Sequence, residues 1–451
     1  MSMKRTNSGT PPVHQRQQHF ATLKAEFPRV FDVESGLREM VGEPMTIELT
    51  DDAIPYAQTC ARNIPYNWRD DVRQQLDELL QHDIIEPVEH HTEWCHPLCP
   101  VPKTDSDGKP TGCRITVDFT KLNRFVKRPV HPARTPHDAI SSIATGAKFF
   151  TKLDCKAGYH QLALREQDRD LTCFITPWGR YRFKRMPMGI THSGDVYNRR
   201  GDSALGDIAN TAKVVDDMLA WDDDYATHLL HVWTLLKRCD DYNITLNPTK
   251  CQFAAETVDF CGFTVSSDGY TVDEKKVRAV KNFPQPCNIT ELRAFLGLVN
   301  QLGSFSDEIA AAAEPLRQLL KPRNAWLWTT VHTTAFEKVK KALVAPPILD
   351  YYNPARRTVL ETDASRLGGL GFCLRQQDEH GRWRLIQCGS RFLTDVETRY
   401  AVIELELLAL VWACKKTDIY IKGMQTFEVL LDHRPLIPVL NKKTLAEIEN
   451  P

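Results

Sequence analysis

The alternation of apolar and polar positions divides the chain into segments of two periods. Val72, Leu76, Leu79 and Leu80 recur at helical spacing and predict an amphipathic helix over 70–81, ahead of the short apolar Ile84-Ile85. Residues 101–103 and 112–118 read as strands about a turn at 105–108, and 149–154 as a strand that ends on an acid. Residues 174–183 form a hairpin pattern with Trp178-Gly179 at its bend, and a helix is expected from 193 to about 205. In 213–221 the apolar runs Val214-Val215 and Met218-Leu219-Ala220 flank two adjacent acids, which predicts a tight hairpin with Asp216 and Asp217 at its turn. Leu229, Val232, Leu235 and Leu236 give a helix over 228–239 one apolar face, and 257–273 holds two strands about the turn 266–269. After a linker signal at 283–286, Asn288 and Glu291 resemble a capping box ahead of a helix over 292–302. Another helix covers about 334–343, and Pro346-Pro347 marks a second boundary. The last hundred residues change pattern: strands at 359–365, 368–375 and 382–388, a long helix from about 396 to 420, and a final strand at 427–432.

Composition narrows the class without naming a function. The 451 residues are 42% hydrophobic and 25% charged, ordinary globular values, and the length suggests about three domains. A net charge of −1 and a pI near 6.9 leave no global basic footprint, so any nucleic-acid surface has to be local. Thirteen cysteines without a paired framework read as reduced intracellular thiols. No apolar run approaches the roughly 20 residues that span a bilayer. Residues 1–18 lack the apolar core of a signal peptide and, with Pro11-Pro12 and several Gln, are expected to be a disordered tail. These features imply an intracellular protein, cytoplasmic or nuclear, without a membrane partner.

The acids carry the chemistry. Two adjacent carboxylates cost several kcal/mol each to bury unpaired, so Asp216 and Asp217 must face water, a cation or a counter-charge. Asp154, at the end of its own strand, is a third carboxylate that the same sheet can bring to them. Hard oxygen ligands from separate strands are what a two-metal site requires, with the ions about 3.5–4 Å apart. Lys103 and Arg114, on neighbouring strands of one ribbon, suit a triphosphate, because both donate charge-assisted hydrogen bonds to phosphate oxygens. Arg180, Arg182, Lys184 and Arg185 interleave with Trp178, Tyr181 and Phe183, a mix that suits a nucleic-acid backbone and stacked bases. A second acidic set comprises Asp363 and Asp432 at two strand ends, with Glu404 or Glu406 on the helix between. The two glutamates lie about 200° apart around that helix, so only one faces the sheet, and periodicity does not choose between them. Asp222-Asp-Asp224 reads as a solvated turn. His90, His91, Cys95, His96 and Cys99 crowd together, but Cys-x3-Cys without a second Cys/His pair downstream, and with Pro97 and Pro100 inside, reads as an extended structural segment rather than a zinc site.

The order of these motifs resembles the reverse transcriptase–ribonuclease H segment of gypsy-like long-terminal-repeat retrotransposons. The resemblance runs from about Phe20 to the end. It is carried by Val117-Asp-Phe-Thr-Lys-Leu-Asn123, Lys152-Leu-Asp-Cys-Lys-Ala-Gly-Tyr-His-Gln161, Met186-Pro-Met-Gly189, Val214-Val-Asp-Asp217, Glu291-Leu-Arg-Ala-Phe-Leu-Gly297, Glu361-Thr-Asp-Ala-Ser365 and Asp432-His-Arg-Pro-Leu436. It implies an α+β right-hand polymerase of fingers, palm and thumb, followed by a partial, C-terminally truncated ribonuclease H-like α/β domain. The implied division is a tail (1–18), an N-terminal extension (19–75), fingers (76–148), a palm with the metal site (149–275), a thumb or connection (276–345) and the ribonuclease H-like domain (346–451). Asp154, Asp216 and Asp217 are implied as catalytic metal ligands, and Asp363, Glu406 and Asp432 likewise in the second domain. Glu406, which leads Glu-Leu-Leu-Ala-Leu410, fits the ribonuclease H glutamate better than Glu404. Lys103, Arg114, Tyr159 and Met188 match nucleotide-binding positions, Tyr159 being the one that excludes a 2′-hydroxyl. Cys261, Gly262 and Phe263 match the primer grip. The implied cofactors are two Mg2+ ions per site, with Mn2+ possible. The implied partners are an RNA or DNA template, a primer and deoxynucleoside triphosphates; the sequence leaves the oligomeric state open.

The chain departs from that pattern in three places. Val214 stands where relatives usually carry an aromatic residue. Ile190-Thr-His-Ser-Gly-Asp-Val-Tyr197 stands where many carry Asn-Ala-Pro and then Phe-Gln. The sequence ends at Pro451, before a terminal helix that brings relatives a fourth acid, so the ribonuclease half is expected to be weak or inactive. A catalytically silent copy that binds nucleic acid or serves as a scaffold is the competing expectation, and a nuclease acting through the second cluster alone is a third.

Overall fold

The structure is a computed structural model that describes residues 10–104, 110–301, 309–321, 324–344, 346–366 and 369–442. The turn expected at 105–108 and the chain end therefore lie outside the described residues. Two compact units are present, Met1–Ser142 with Ala147–Cys261, and Ile143–Gly146 with Gly262–Pro451. Among the described residues no helix is long and apolar enough to cross a membrane.

The first unit runs α1 (Val13–Glu26), α2 (Arg69–Gln81), β1 (Ile85–Pro87), β2 (His96–Thr104), β3 (Pro110–Val117), β4 (Phe149–Asp154), β5 (Phe174–Thr176), β6 (Gly179–Phe183), α3 (Ser193–Leu205), β7 (Thr211–Val214), β8 (Asp217–Asp222), α4 (Tyr225–Asp241), β9 (Gln252–Ala255) and β10 (Thr257–Phe260). One sheet has the order β1-β6-β5-β2-β3, with β2 and β5 parallel. The other has the order β7-β8-β4-β9 and is antiparallel throughout. The apolar face read on α4 is real: Val232, Leu235 and Leu236 are fully buried in a core shared with Leu153, Met218 and Ala220 of the second sheet. Burial of such side chains stabilises by about 1.5–3 kcal/mol each and fixes the helix under the strands.

Two expectations fail here, the second in part. The disordered tail was expected to reach 18, but α1 starts at Val13. Arg16 on this helix is buried, donating to the Ala254 carbonyl at 2.7 Å and pairing with Glu256 at 2.9 Å. A polar segment joined the fold because one guanidinium found both partners. The solvated turn expected at 222–224 holds for the exposed Asp223 and Asp224 but not for Asp222. Asp224 accepts a hydrogen bond from the Thr227 amide and caps α4, while Asp222 is 6% exposed.

The second unit runs β11 (Phe263–Ser266), β12 (Gly269–Val272), α5 (Glu274–Lys281), α6 (Ile289–Gln301), α7 (Ile309–Gln318), α8 (Thr330–Val344), β13 (Thr358–Ser365), β14 (Gly369–Gln377), β15 (Trp383–Arg391), α9 (Val402–Lys416) and β16 (Glu428–Leu431). β11 and β12 form a hairpin. The cap read from sequence is present, as Asn288 Oδ1 accepts from the Glu291 amide at 2.9 Å and Glu291 accepts from the Cys287 amide at 2.8 Å. The later strands form a sheet of order β15-β14-β13-β16, antiparallel except for the parallel pair β13–β16. α9 packs on β13 and β14. The single long helix expected over 396–420 is broken: a short turn spans Glu397–Arg399, and α9 starts only at Val402. The Glu404 carboxylate accepts from the Ala401 amide at 2.8 Å, which starts a new helix there.

Candidate active site

Strand register assembles the first acid cluster. β4 and β8 align Asp154 opposite Asp217, and β7 and β8 align Val214 with Asp217, leaving Val215 and Asp216 as the bend. The Cys155 amide donates to the Asp216 carbonyl at 2.9 Å and pins the bend to the end of β4. Val215 sits at φ +51°, a left-handed conformation that a β-branched side chain disfavours. Burial, together with the neighbouring Asp154 and Asp217 charges, pushes the Asp216 carboxyl pKa up, against the Tyr197 hydroxyl and Lys213, which pull it down. The Oδ1 atoms of Asp216 and Asp217 are buried without a hydrogen-bond partner. Lys152 Nζ lies 3.3 Å from Asp217 Oδ1 and Lys250 Nζ 3.4 Å from Asp154, contributing charge. Three carboxylates at one sheet end, with Asp216 and Asp217 oxygens buried and accepting no hydrogen bond, fit a hard divalent cation.

The second acid cluster is built by parallel pairing. Thr362 of β13 aligns with Leu431 of β16, so Asp363 and Asp432 leave adjacent strands at the same end. Glu406 projects from α9 to meet them, with ligand atoms of all three within 4.8 Å of one another. Glu406 is 3% exposed, whereas Glu404 is exposed and used as the cap, which settles the choice that periodicity left open. Burial, then the Asp432 and Asp363 charges, push the Glu406 pKa up to about 7. Its Oε2 is also buried without a partner.

The other sequence-derived positions stand outside these clusters. Val101 pairs with Arg114 in the β2–β3 register, so Lys103 and Arg114 share one face of the ribbon, both exposed. Tyr159 is half-buried and stacks on Tyr197, with ring centroids 5.1 Å apart at 17°. Met188 is 44% exposed on the loop before α3. Cys261 directs its thiol to Asp217 at 3.7 Å, Gly262 has φ +87°, and Phe263 opens β11 with Lys276 Nζ 5.3 Å from its ring centroid. The basic hairpin is not a free surface. Arg182 pairs with Glu86 and Asp170, Lys184 with Asp83 and Arg185 with Glu39, and Arg180 donates to the His90 carbonyl. These acids are distant in sequence, so charge alternation alone could not show the pairing. The Cys/His stretch also reads as structural. His96 is fully buried, donates to the Leu171 carbonyl at 3.0 Å, and is kept neutral by burial, which pulls its pKa to about 4.

Sequence reading missed one constellation. Asp222, at the end of β8, accepts from His228 Nδ1 at 2.6 Å and from His231 Nδ1 at 2.8 Å. With both Nδ1 atoms donating, the two Nε2 atoms accept from the Thr151 and Thr211 hydroxyls at 2.7 and 2.9 Å. Three such groups within 4.8 Å have the composition of a metal site. Every ring nitrogen is partnered at hydrogen-bond distance, so the cluster is a clamp between α4 and the sheet. An acid followed by His-x2-His at a helix start was the available signal. The glutamine of the 152–161 motif is a second clamp: the Gln161 amide bonds the Lys156 and Thr245 carbonyls and the Thr245 amide, all at 2.8 Å.

Residues 101–265 match the family described as reverse transcriptase (RNA-dependent DNA polymerase), and residues 328–429 match an RNase H-like domain found in reverse transcriptase. The chain is 32% identical over 441 residues to the retrovirus-related Pol polyprotein from transposon opus of Drosophila melanogaster, covering 95% of this chain and 43% of that relative. It is 33% identical over 400 residues to the Pol polyprotein from transposon gypsy of the same organism, covering 84% of this chain and 37% of that one. It is 31% identical over 337 residues to the transposon Tf2-3 polyprotein of Schizosaccharomyces pombe, covering 74% of this chain and 25% of that one. The chain thus spans less than half the length of these curated relatives. Among solved structures, the foamy viral protease-reverse transcriptase in complex with dsDNA aligns at TM-score 0.84 and 20% identity, over 98% of this chain and 90% of that one. The same viral protein in complex with an RNA/DNA hybrid aligns at TM-score 0.79 and 19% identity, over 96% of this chain and 58% of that one. At that identity the likeness establishes the fold.

Proposed function

Because the chain belongs to the reverse transcriptases of long-terminal-repeat retrotransposon Pol polyproteins, we propose that it extends a nucleic-acid primer with deoxynucleotides on an RNA or DNA template. The observation that carries this reading is the meeting of Asp154, Asp216 and Asp217 at one sheet end, with a buried Asp216 oxygen that accepts no hydrogen bond. Two Mg2+ ions held there would supply charge neutralisation at the attacking and leaving oxygens of the transfer. The protein's own contribution is positioning. Lys103 and Arg114 receive the triphosphate from the β2–β3 ribbon, and Met188 lines the nucleotide site. Tyr159, held in place by its stack on Tyr197, closes the space a ribose 2′-hydroxyl would need. Cys261, Gly262 and Phe263 hold the primer end, the Cys261 thiol already facing Asp217. Residues 76–148 act as fingers, 149–275 as palm and 276–345 as thumb or connection.

The second cluster has the same chemistry, with two exposed acids flanking one buried glutamate. It supports hydrolysis of the RNA strand of a hybrid, again with divalent cations at Asp363, Glu406 and Asp432.

Primer extension on an RNA template with deoxynucleotides and Mg2+, comparing the wild type with Asp216→Asn, tests the first claim. Extension lost in the variant supports it; a folded wild type that binds primer-template yet adds no nucleotide selects the catalytically silent reading instead. Cleavage of labelled RNA in a hybrid, compared with Asp363→Asn, tests the second. The weak or absent cleavage expected from sequence would appear as no difference between the two proteins.

A further inference from the structure

We infer that the Tyr197 hydroxyl is a positioning group for the metal-binding carboxylate of Asp216. The inference rests on the proposed polymerase reading and adds a residue to its site. Tyr197 lies on α3 and is 3% exposed, packed beneath the bend that carries the acids. Its hydroxyl and Asp216 Oδ1 both occupy the space beside Gly158 in which a Cβ would stand, so any added Cβ would collide with both. A residue with a side chain at 158 would therefore push the phenol and the carboxylate apart. The hydroxyl also faces the buried Cys155 thiol.

The ring is held from two sides. Tyr159 stacks on one face, and Lys213 Nζ, which donates to Asn198 Oδ1 at 3.0 Å, lies 5.4 Å from the ring centroid. A phenylalanine would keep the stacking and the cation–π contact and lose only the donor. A carboxylate that takes a cation is held in place by the donors around it, and such outer partners typically change metal affinity 10–100-fold. Asp216 Oδ1 is buried without a hydrogen-bond partner, and the Tyr197 hydroxyl is the donor group beside it. Val215, strained at the same bend, cannot supply one.

The test measures Mn2+ binding to the full chain by the electron paramagnetic resonance of free Mn2+. Asp363→Asn and Asp432→Asn are present throughout, to remove ions held by the second cluster. Tyr197→Phe should weaken the remaining binding about tenfold. It should raise the Mg2+ concentration for half-maximal extension by a similar factor, leave the deoxynucleotide KM at saturating Mg2+ unchanged, and leave the thermal midpoint in place. Unchanged Mn2+ affinity in Tyr197→Phe, in a protein whose binding is lost in Asp216→Asn, overturns this inference alone. Binding that survives Asp216→Asn overturns the proposed metal site and this inference with it. A loss of extension in Tyr197→Phe that Mg2+ does not restore also overturns it, because a pure packing role would then explain the effect.

Discussion

At the scale of single residues, the acids divide by what compensates them. Asp222 is buried, yet its pKa is held at about 2: burial pushes it up, and the two imidazole N–H donors more than offset that. A carboxylate lowered in the fold contributes stability above its unfolded pKa of about 3.9 and loses it as pH falls toward 2. Asp222→Ala would leave two buried N–H groups without an acceptor and should destabilise the first unit by about 3 kcal/mol at pH 7. Urea unfolding followed at the tryptophans checks this, and a change below about 0.5 kcal/mol would show the clamp to be inert. Val215 is a different case, a half-exposed β-branched residue held in a left-handed conformation. Val215→Gly should stabilise by about 1 kcal/mol in a thermal scan, since glycine adopts φ +51° freely. The acids themselves were legible, because each stands at the end of an apolar run. The histidine clamp was legible only in part, because Asp222 and the two histidines are close in sequence but the Thr151 and Thr211 hydroxyls that complete it come from β4 and β7.

At the scale of elements, period and capping located most segments closely. Helices 70–81 and 193–205 and both hairpins appear where the alternation put them. The helix expected at 396–420 failed on one detail: an apolar run does not say where a helix restarts, and Glu404 decides that by capping Ala401. The same detail leaves Glu406 to face the sheet. Its pKa, raised from the usual carboxylate range to about 7, means that the folded state holds a proton the unfolded chain releases near 4.3. In the absence of metal this costs stability progressively as pH rises through that window, and nothing below it. Glu406→Gln should therefore raise the melting transition of the second unit at pH 8, by on the order of 2 kcal/mol, and leave it unchanged at pH 4. Equal gaps at both pH values would rule out the charge crowding.

For the whole molecule, buried histidines set the acid limit. Burial pulls His96 and His160 to about 4 and lowers His228, so all three stay neutral in the fold while the unfolded chain takes up protons near 6.5. A lowered folded pKa gives stability that is present above 6.5 and lost as pH falls toward 4. Thermal midpoints measured at pH 7, 5.5 and 4.5 should fall steadily, and a flat profile would contradict this account. The basic hairpin teaches a related lesson at this scale. A net charge of −1 spread over many lysines and arginines looked locally concentrated at 180–185, yet acids from residues 39, 83, 86 and 170 neutralise it.

The order of motifs along the chain determined the family and the fold class and singled out Asp154, Asp216, Asp217, Asp363 and Asp432 as candidates, because each stands in a local pattern of apolar runs, turns and acids. Tertiary structure decided that Glu406 rather than Glu404 turns inward and that Arg16 and the 180–185 cations are spent on internal pairs. Each of those outcomes depends on strand register and burial between segments far apart in sequence, and a charge or a hydroxyl takes its role from the partner that the fold brings within about 3 Å.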